Sequence, residues 1–181
     1  MEATAVGAGR GKEASMFSQV QRAASLGLRV AAALAFLPPL LTRLVIGQAF
    51  FQTGRGKLQN VEGVVSFFSE LGIPFPAANA AFVSRLEYYG GLLLVVGLLT
   101  RLVATGLLST MAVALLTADR PAFLDALRGV GEGGLTDVTP VVYGLFLLWL
   151  IVAGPGAVSL DALASRWLKP TPETVADPRA A

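Results

Sequence analysis

Three charged side chains interrupt or closely follow apolar stretches of this sequence. Arg43 falls within the apolar run Ala31–Thr53, and Lys57 follows that run closely. Glu87 lies within a second apolar run, Asn79–Leu99. An ionised group inside a bilayer costs on the order of 3 kcal/mol on insertion scales, so such groups are expected to face protein and to have partners. Two cations can balance a bound anion, and a carboxylate can pass protons. The set therefore predicts either a ligand or partner site or a structural lock between helices.

Helical spacing places these charges on stripes that contain small residues. Positions about four, seven, eleven and fourteen residues apart share one face of a helix. The first stripe is Arg43, Gly47, Phe50, Gly54 and Lys57, and the second is Glu87, Gly90, Leu94, Gly97 and Arg101. Small residues allow membrane helices to approach closely. We therefore expect both stripes to face the protein interior, with Gly47, Gly54, Gly90, Gly91 and Gly97 as helix-packing positions.

The depth of each charge limits how the set can pair. Glu87 lies 14 residues from Arg101, about 21 Å along a helix, which predicts a position in the outer half of the membrane. Arg43 lies 14 residues from Lys57 and is expected in the inner half. In a hydrocarbon core of about 30 Å, Arg43 and Glu87 then differ in depth by about 10 Å. Lys57 is the easier partner for Glu87, whereas Arg43 would need extended side chains, a water or a bound ligand to reach it.

The composition indicates a lipid environment for the chain and excludes several kinds of metal and disulfide chemistry. The sequence is 54% hydrophobic and 14% charged, with a mean hydropathy of +0.66, which is typical of an integral membrane protein in a lipid bilayer. It contains no cysteine and no histidine. Disulfides, iron–sulfur clusters, thiolate zinc sites and bis-histidine haem therefore have no ligands here, and we predict no metal site. A net charge of +2 without a basic tract argues against binding to nucleic acid.

The elements that must position these residues are predicted to be helices. We expect an all-α, polytopic membrane four-helix bundle with short interfacial helices. The predicted spans are Ala31–Thr53, Asn79–Leu99, Leu102–Ala118 and Thr139–Ala153, and the short helices are Val61–Leu71, Pro121–Leu127 and one that follows Ser159. The predicted domain covers residues 31–168. A disordered and amphipathic cytoplasmic segment, residues 1–30 with Met1–Ser15 as its disordered part, precedes it, and a disordered tail, residues 169–181, follows.

Turn and cap residues set the ends of these elements. Pro38 and Pro39 either begin the first span after a separate upstream helix or bend a single span. A cleaved signal peptide is the less favoured interpretation of this region, because the alanine-rich part precedes the apolar stretch.

Two further boundaries are predicted from short motifs. Thr100 and Arg101 are expected to form the turn between the second and third spans. The motif Gly154-Pro155-Gly156 is expected to end the fourth span. Ser159 is then predicted to cap a terminal helix whose first turn contains Asp161.

The distribution of basic residues predicts the orientation. Four spans place both termini on one side, and that side carries eight lysines and arginines against four on the other. Cytoplasmic loops carry the excess of these residues. We therefore expect both termini in the cytoplasm.

Four segments of the sequence resemble the DoxX family of small four-helix bacterial membrane proteins. They are RLVIGQAFFQTGRGKL at Arg43–Leu58, FFSELGIPFP at Phe67–Pro76, EYYGGLLLVVGLLTR at Glu87–Arg101 and AGPGAVSLDAL at Ala153–Leu163. The resemblance is carried by their order and spacing. It implies a four-span protein of the bacterial inner membrane, with recurrent residues at Arg43, Gly47, Gly54, Lys57, Glu87, Gly91, Gly97, Arg101 and Asp161. It supplies no catalytic residues.

The resemblance also implies a redox setting for the function. We expect an accessory or organising subunit of a membrane-associated respiratory, sulfur or oxidative-stress system, with protein partners and a quinone as the candidate cofactor. The alternative is a quinone-linked oxidoreductase subunit of the thiosulfate:quinone oxidoreductase type, and a small-solute permease ranks last. Whether the chain is catalytic alone stays open, with the balance against it, and a homo-oligomer is an open alternative for its assembly.

Overall fold

The computed structural model describes residues 19, 21–22, 24–130 and 133–167, and all regular structure in these residues is helical. This confirms the predicted all-α class. The chain divides into two units, Met1–Leu37 and Pro38–Ala181. The predicted disordered segments, Met1–Ser15 and 169–181, lie outside the described residues.

Eight α-helices and one 3₁₀ helix follow one another along the described residues. In chain order they are α1 (24–34), α2 (Leu37–Gln59), α3 (Val61–Glu70), α4 (Pro76–Val96), α5 (Thr100–Leu116), α6 (Arg120–Arg128), the 3₁₀ helix (Leu135–Asp137), α7 (Thr139–Ala153) and α8 (Leu160–Trp167). Pro38 and Pro39 directly follow a short break in the helical stretch Ala24–Gln59. Helix α1 ends before a turn at residues 35–36, and both prolines lie in the first turn of α2, where a missing N–H breaks no helical hydrogen bond.

Helix α2 extends further than the sequence predicted. We expected an outer loop from Gly54, but Gly54 is buried within α2 and the helix continues to Gln59. The reason is tertiary, because Gly54 packs directly against the backbone of α4. Asn60 then begins α3 by accepting a hydrogen bond from the Gly63 N–H at 3.2 Å.

The four longest helices of the second unit share one apolar core. Its buried members come from α2, α4, α5 and α7, and they are Ile46, Phe50, Leu94, Val103, Ala104, Leu107, Leu147 and Leu150. Phe50 also meets Tyr143 of α7 edge to face, with ring centroids 5.6 Å apart. This core fixes the relative positions of the helices that carry the charged residues.

Length and composition mark one helical stretch of the described residues as able to cross a membrane alone. That stretch is Ala24–Gln59, which includes α2. Helices α5 and α6 meet the same criteria only together, with a bend of 76° between them, and α7 is apolar but shorter.

Candidate functional site

Lys57 and Glu87 form an ion pair between α2 and α4. The Lys57 Nζ donates a hydrogen bond to Glu87 Oε1 at 2.5 Å. The Glu87 side chain is 2% exposed and the Lys57 side chain is 32% exposed. The pair is the one ion pair found within the described part of the chain. Of the two partners that the sequence left open for Glu87, the structure therefore has Lys57.

Glycines bring the two helices close enough for this pair. A methyl group added at Gly54 would overlap the backbone of Tyr88, and one added at Gly91 would overlap the backbone of Phe51. At Gly47 an added methyl carbon would lie 2.8 Å from the Gly91 carbonyl oxygen. The backbones of α2 and α4 are therefore in direct contact along the glycine stripe, as expected for membrane helices that pack through small residues.

The second oxygen of Glu87 has no hydrogen-bond partner among the described residues. Glu87 Oε2 is buried, whereas Oε1 is held by Lys57. Buried carboxylate oxygens are normally hydrogen-bonded, and an unsatisfied one is costly. The carboxylate can therefore accept one more hydrogen bond after a small rearrangement at its position.

The ion pair lies at the wall of a cavity between α3, α4 and α5. The cavity has a volume of about 730 Å³, and its wall includes both Lys57 and Glu87. Most of the remaining lining is apolar, with Val64, Phe67, Phe68, Ile73, Phe82 and Met111 among its members. A cavity of this size and polarity is in the range that binds a small organic molecule.

Two hydroxyl side chains of α5 add acceptors to the cavity wall. Ser109 Oγ donates to the Gly106 carbonyl at 2.6 Å, and Thr110 Oγ1 donates to the Leu107 carbonyl at 2.7 Å. Each hydroxyl proton is thus committed to its own helix, while the oxygen keeps lone pairs that can accept. The polar groups of the cavity lining are therefore the Lys57 ammonium, the Glu87 and Asp119 carboxylates, the Asn79 amide and hydroxyl acceptors.

Arg43 does not join the pair. It is 1% exposed and its guanidinium donates a hydrogen bond to the carbonyl of Val158, beyond the end of α7. An atom added at Gly97, the C-cap of α4, would collide with this guanidinium. The cation thus lies at the C-terminal end of α4, where the helix dipole favours positive charge. The predicted three-residue cluster is divided into two separate sites.

Asp161 completes this second site by capping α5. Its carboxylate accepts from the backbone N–H of Leu99 at 2.7 Å and of Thr100 at 2.9 Å, and its own N–H donates to the Gly97 carbonyl at 2.9 Å. An anion at a helix N-terminus satisfies N–H groups that the helix leaves unpaired. Ser159 caps α8 as predicted, because its Oγ accepts from the Ala162 N–H at 3.0 Å.

The position of the α4–α5 turn differs from the prediction. The turn is Gly97–Leu99, and Arg101 is exposed in the first turn of α5. Gly97 adopts a φ of +71°, which ends α4 early, and the Asp161 cap starts α5 at Thr100. Arg101 therefore lies on α5 and does not continue the Glu87 stripe.

The other predicted packing and motif residues take different parts. The nearest neighbours of Gly90 are Val103 and Leu107 of α5, whereas the sequence suggested that Gly90 faces α2. The adjacent Gly91 is rotated from it by about 100° around the helix axis and is the glycine that packs on α2. Gly154 and Gly156 have φ values of +82° and +78° and lie, with Pro155, in the connection between α7 and α8. Gly156 packs on Pro39 at the start of α2.

The sequence analysis did not identify three polar residues that line the cavity or the surface near Glu87. Arg85 is a second charge in the run Asn79–Leu99 and could have been read directly from the sequence. The hydroxyls of Ser109 and Thr110 are isolated polar groups in an apolar run, but only the packing of α3 identifies them as cavity residues.

Comparisons with known proteins point in one direction. A family model described as DoxX matches residues 39–120. The chain is 30% identical over 139 residues to a protein of Mycobacterium tuberculosis named "Uncharacterized membrane protein Rv3486". The alignment covers 71% of this chain and 83% of that protein. It is 29% identical over 127 residues to the inner membrane protein YqjF of Escherichia coli, covering 70% and 92% of the two chains.

A third similarity covers a shorter region. The chain is 36% identical over 78 residues to a Bacillus subtilis protein named "Putative oxidoreductase CatD". The match spans 43% of this chain and 57% of that relative. No solved structure matches the chain.

Proposed function

Because the chain belongs to the DoxX family, we propose that it is a quinone-binding accessory subunit of a redox system in the bacterial inner membrane. In this proposal the chain holds an isoprenoid quinone in the cavity between α3, α4 and α5. A partner protein supplies the electrons. The names of two relatives, "Inner membrane protein YqjF" and "Putative oxidoreductase CatD", support the location and the redox setting.

The proposed membrane topology has four spans, formed by α2, α4, α5 and α7. Large apolar side chains on each of these helices are exposed, including Leu41, Val45, Phe82, Leu92, Leu102, Leu116, Leu145 and Leu148. A water-soluble protein rarely exposes so many large apolar residues on adjoining helices. Lipid as the surrounding solvent explains them, and in that solvent the glycine contacts between α2 and α4 replace hydrophobic burial as the basis of packing.

The observation that carries the quinone proposal is an apolar cavity that ends at an ion pair. A quinone carries two carbonyl oxygens that accept hydrogen bonds, and its reduced form carries two hydroxyls that donate them. Lys57 is the donor that matches the carbonyl, and the second oxygen of Glu87 is the acceptor that matches the hydroxyl. The apolar wall formed by Phe67, Phe68 and Phe82 suits the ring and its isoprenoid tail.

The accessory role follows from what the chain can hold by itself. Without cysteine or histidine, the sequence provides no ligands for an iron–sulfur cluster or for a bis-histidine haem. A quinone transfers two electrons in its full redox cycle, so a redox reaction at this site needs a donor or acceptor on another protein. We therefore favour a subunit that binds and orients the quinone over an enzyme that acts alone.

A binding experiment tests the proposal. The purified protein in lipid nanodiscs is titrated with a short-chain ubiquinone and a short-chain menaquinone, and binding is measured by calorimetry. We expect saturable binding of one of them, weakened about tenfold in Glu87→Gln and in Lys57→Met, since each loses a charged hydrogen bond. Glu70→Gln is the matched control, because Glu70 lies on exposed α3 surface outside the cavity lining. Absence of binding of either quinone to the folded wild-type protein would refute the proposal.

A further inference from the structure

A second concave surface lies on the outside of the helices, between α4 and α5. It is an open groove of about 510 Å³ lined almost entirely by apolar side chains and small residues. Its lining residues run along α4 from Ala78 to Leu93 and include Val103 of α5. Fifteen residues of helix span about 22 Å. The groove is thus longer than one leaflet of a hydrocarbon core about 30 Å thick.

One charged residue interrupts this apolar groove. Arg85 lines it and is exposed. No acidic side chain in the described ranges lies within ion-pairing distance of Arg85, since the pair that those ranges contain is Lys57–Glu87. An arginine that faces lipid without a partner is costly. A ligand that brings a negative charge to this position would remove that cost.

The direction of the side chain places the charge toward the beginning of α4. Arg85 lies nine residues after Pro76, about 13 Å along the helix axis. Its Nη1 donates to the Ala81 carbonyl at 3.0 Å, one turn nearer the start of the helix. Under the proposed topology this end of α4 lies at the outer surface. The guanidinium is then displaced toward the depth of the lipid phosphates in the outer leaflet, as long basic side chains at membrane edges commonly are.

We infer that this groove binds an anionic phospholipid of the outer leaflet, with its phosphodiester on Arg85 and an acyl chain along the apolar floor. A guanidinium binds phosphate oxygens through two parallel N–H donors, which suits a phosphodiester. A headgroup without an ammonium leaves the negative charge uncompensated, so phosphatidylglycerol or cardiolipin is favoured over phosphatidylethanolamine. The inference rests on the proposed membrane location but is independent of quinone binding, because Phe82 is the one residue that lines both the groove and the cavity, and Arg85 lines the groove alone.

Native mass spectrometry tests the inference directly. The protein is extracted from membranes that contain phosphatidylglycerol and phosphatidylcholine in equal amounts, and the lipids retained by the protein are identified. We expect the wild-type protein to retain phosphatidylglycerol selectively. Arg85→Gln should lower that retention about tenfold. Arg85→Lys should retain part of the selectivity, since it keeps the charge but loses the bidentate geometry.

The matched control is Arg55→Gln, which removes an exposed arginine near the outer end of α2, away from the groove lining. Equal losses in Arg85→Gln and Arg55→Gln would mean general attraction to an anionic surface and would overturn the inference. Unchanged lipid retention in Arg85→Gln would also overturn it. A third result would also overturn the inference. If the wild-type protein is a dimer, and Arg85→Gln dissociates it without changing the retained lipid, a second copy of the chain covers the groove. The experiment measures lipid retention and not quinone binding. It therefore tests the lipid site even if the protein binds no quinone.

Discussion

The Lys57–Glu87 pair predicts an asymmetry between its two single variants. Removing the lysine leaves a carboxylate that is 2% exposed and has lost its partner, whereas removing the negative charge leaves an ammonium on a side chain that is 32% exposed. Isolating a buried charge costs about 3–5 kcal/mol. A lysine at the wall of an open cavity can instead turn its ammonium toward water, so its isolation costs less. The lysine variant is therefore expected to be the less stable of the two.

The structure allows the size of this asymmetry to be estimated. Lys57→Met keeps the length of the side chain but removes the donor, so its expected cost is about 3 kcal/mol, the lower end of the range for a buried pair. Glu87→Gln keeps the size of the side chain and an oxygen that accepts from Lys57. Its expected cost is about 1 kcal/mol, the difference between a charged and a neutral hydrogen bond. The double variant removes both charges and should be more stable than Lys57→Met alone by about 1–2 kcal/mol.

Unfolding of the helical circular dichroism signal in dodecyl maltoside micelles titrated with sodium dodecyl sulfate measures these free energies. All four proteins in the cycle are compared at one pH and ionic strength. Glu62→Gln is the control, because it removes an exposed carboxylate from the first turn of α3. Equal costs for the two single variants would refute the reasoning from burial. A double variant less stable than Lys57→Met would show that the two side chains are not coupled as the structure places them.

Three further outcomes follow from the packing, the capping and the orientation. Gly54→Ala should destabilise the protein by about 2 kcal/mol, because the added methyl group overlaps the α4 backbone. Its control is Gly56→Ala, where nothing lies within 4 Å of an added methyl carbon. That variant should be neutral or slightly stabilising in the same unfolding titration. Asp161→Ala should lower the free energy of unfolding by about 1–2 kcal/mol, because it removes the cap of α5. Asp125→Ala, on the exposed surface of α6, should lower it by less than about 0.5 kcal/mol. Similar losses in the two variants would contradict the capping role. A cysteine introduced at Ser165 in this cysteine-free chain should react with an impermeant maleimide only in inside-out vesicles, with a permeant maleimide as the control, and labelling in intact spheroplasts would overturn the predicted orientation.

Local sequence patterns predicted the faces of the helices well. The spacing of Arg43, Gly47, Phe50 and Gly54 defines one buried face of α2, because a regular helix repeats every 3.6 residues whatever lies around it. The bounds of α7 also follow from sequence, since Pro140 in its first turn and Gly154 after its end are local signals. Such features depend on residues within a few positions of one another.

Features that depend on distant residues were not predictable in the same way. The start of α5 is fixed by Asp161, which lies 61 residues from Thr100, and the donor group of Arg43 is matched by a backbone carbonyl 115 residues away. A carbonyl group has no sequence signature, because every residue has one. The cavity cannot be predicted from local sequence either, since its volume depends on the distance of α3 from α4 and α5.

The two charged sites both keep unpartnered polar atoms among the described residues, namely Arg43 Nε and Nη1 and Glu87 Oε2, and they differ in what surrounds these atoms. The site around Arg43 joins three segments of the chain, with the guanidinium at the end of α4 and Asp161 at the start of α5, so its charges compensate helix termini. The site around Glu87 borders a cavity and leaves one carboxylate oxygen without a partner in the described residues. Because the cavity borders Glu87 and not Arg43, we expect a ligand at the second site and a contribution to fold stability from the first. Arg43→Gln should lower the unfolding midpoint and leave the quinone dissociation constant of the folded protein unchanged, while Glu87→Gln should change the dissociation constant with a smaller effect on unfolding. The reverse pattern in these two measurements would assign the ligand to the arginine site.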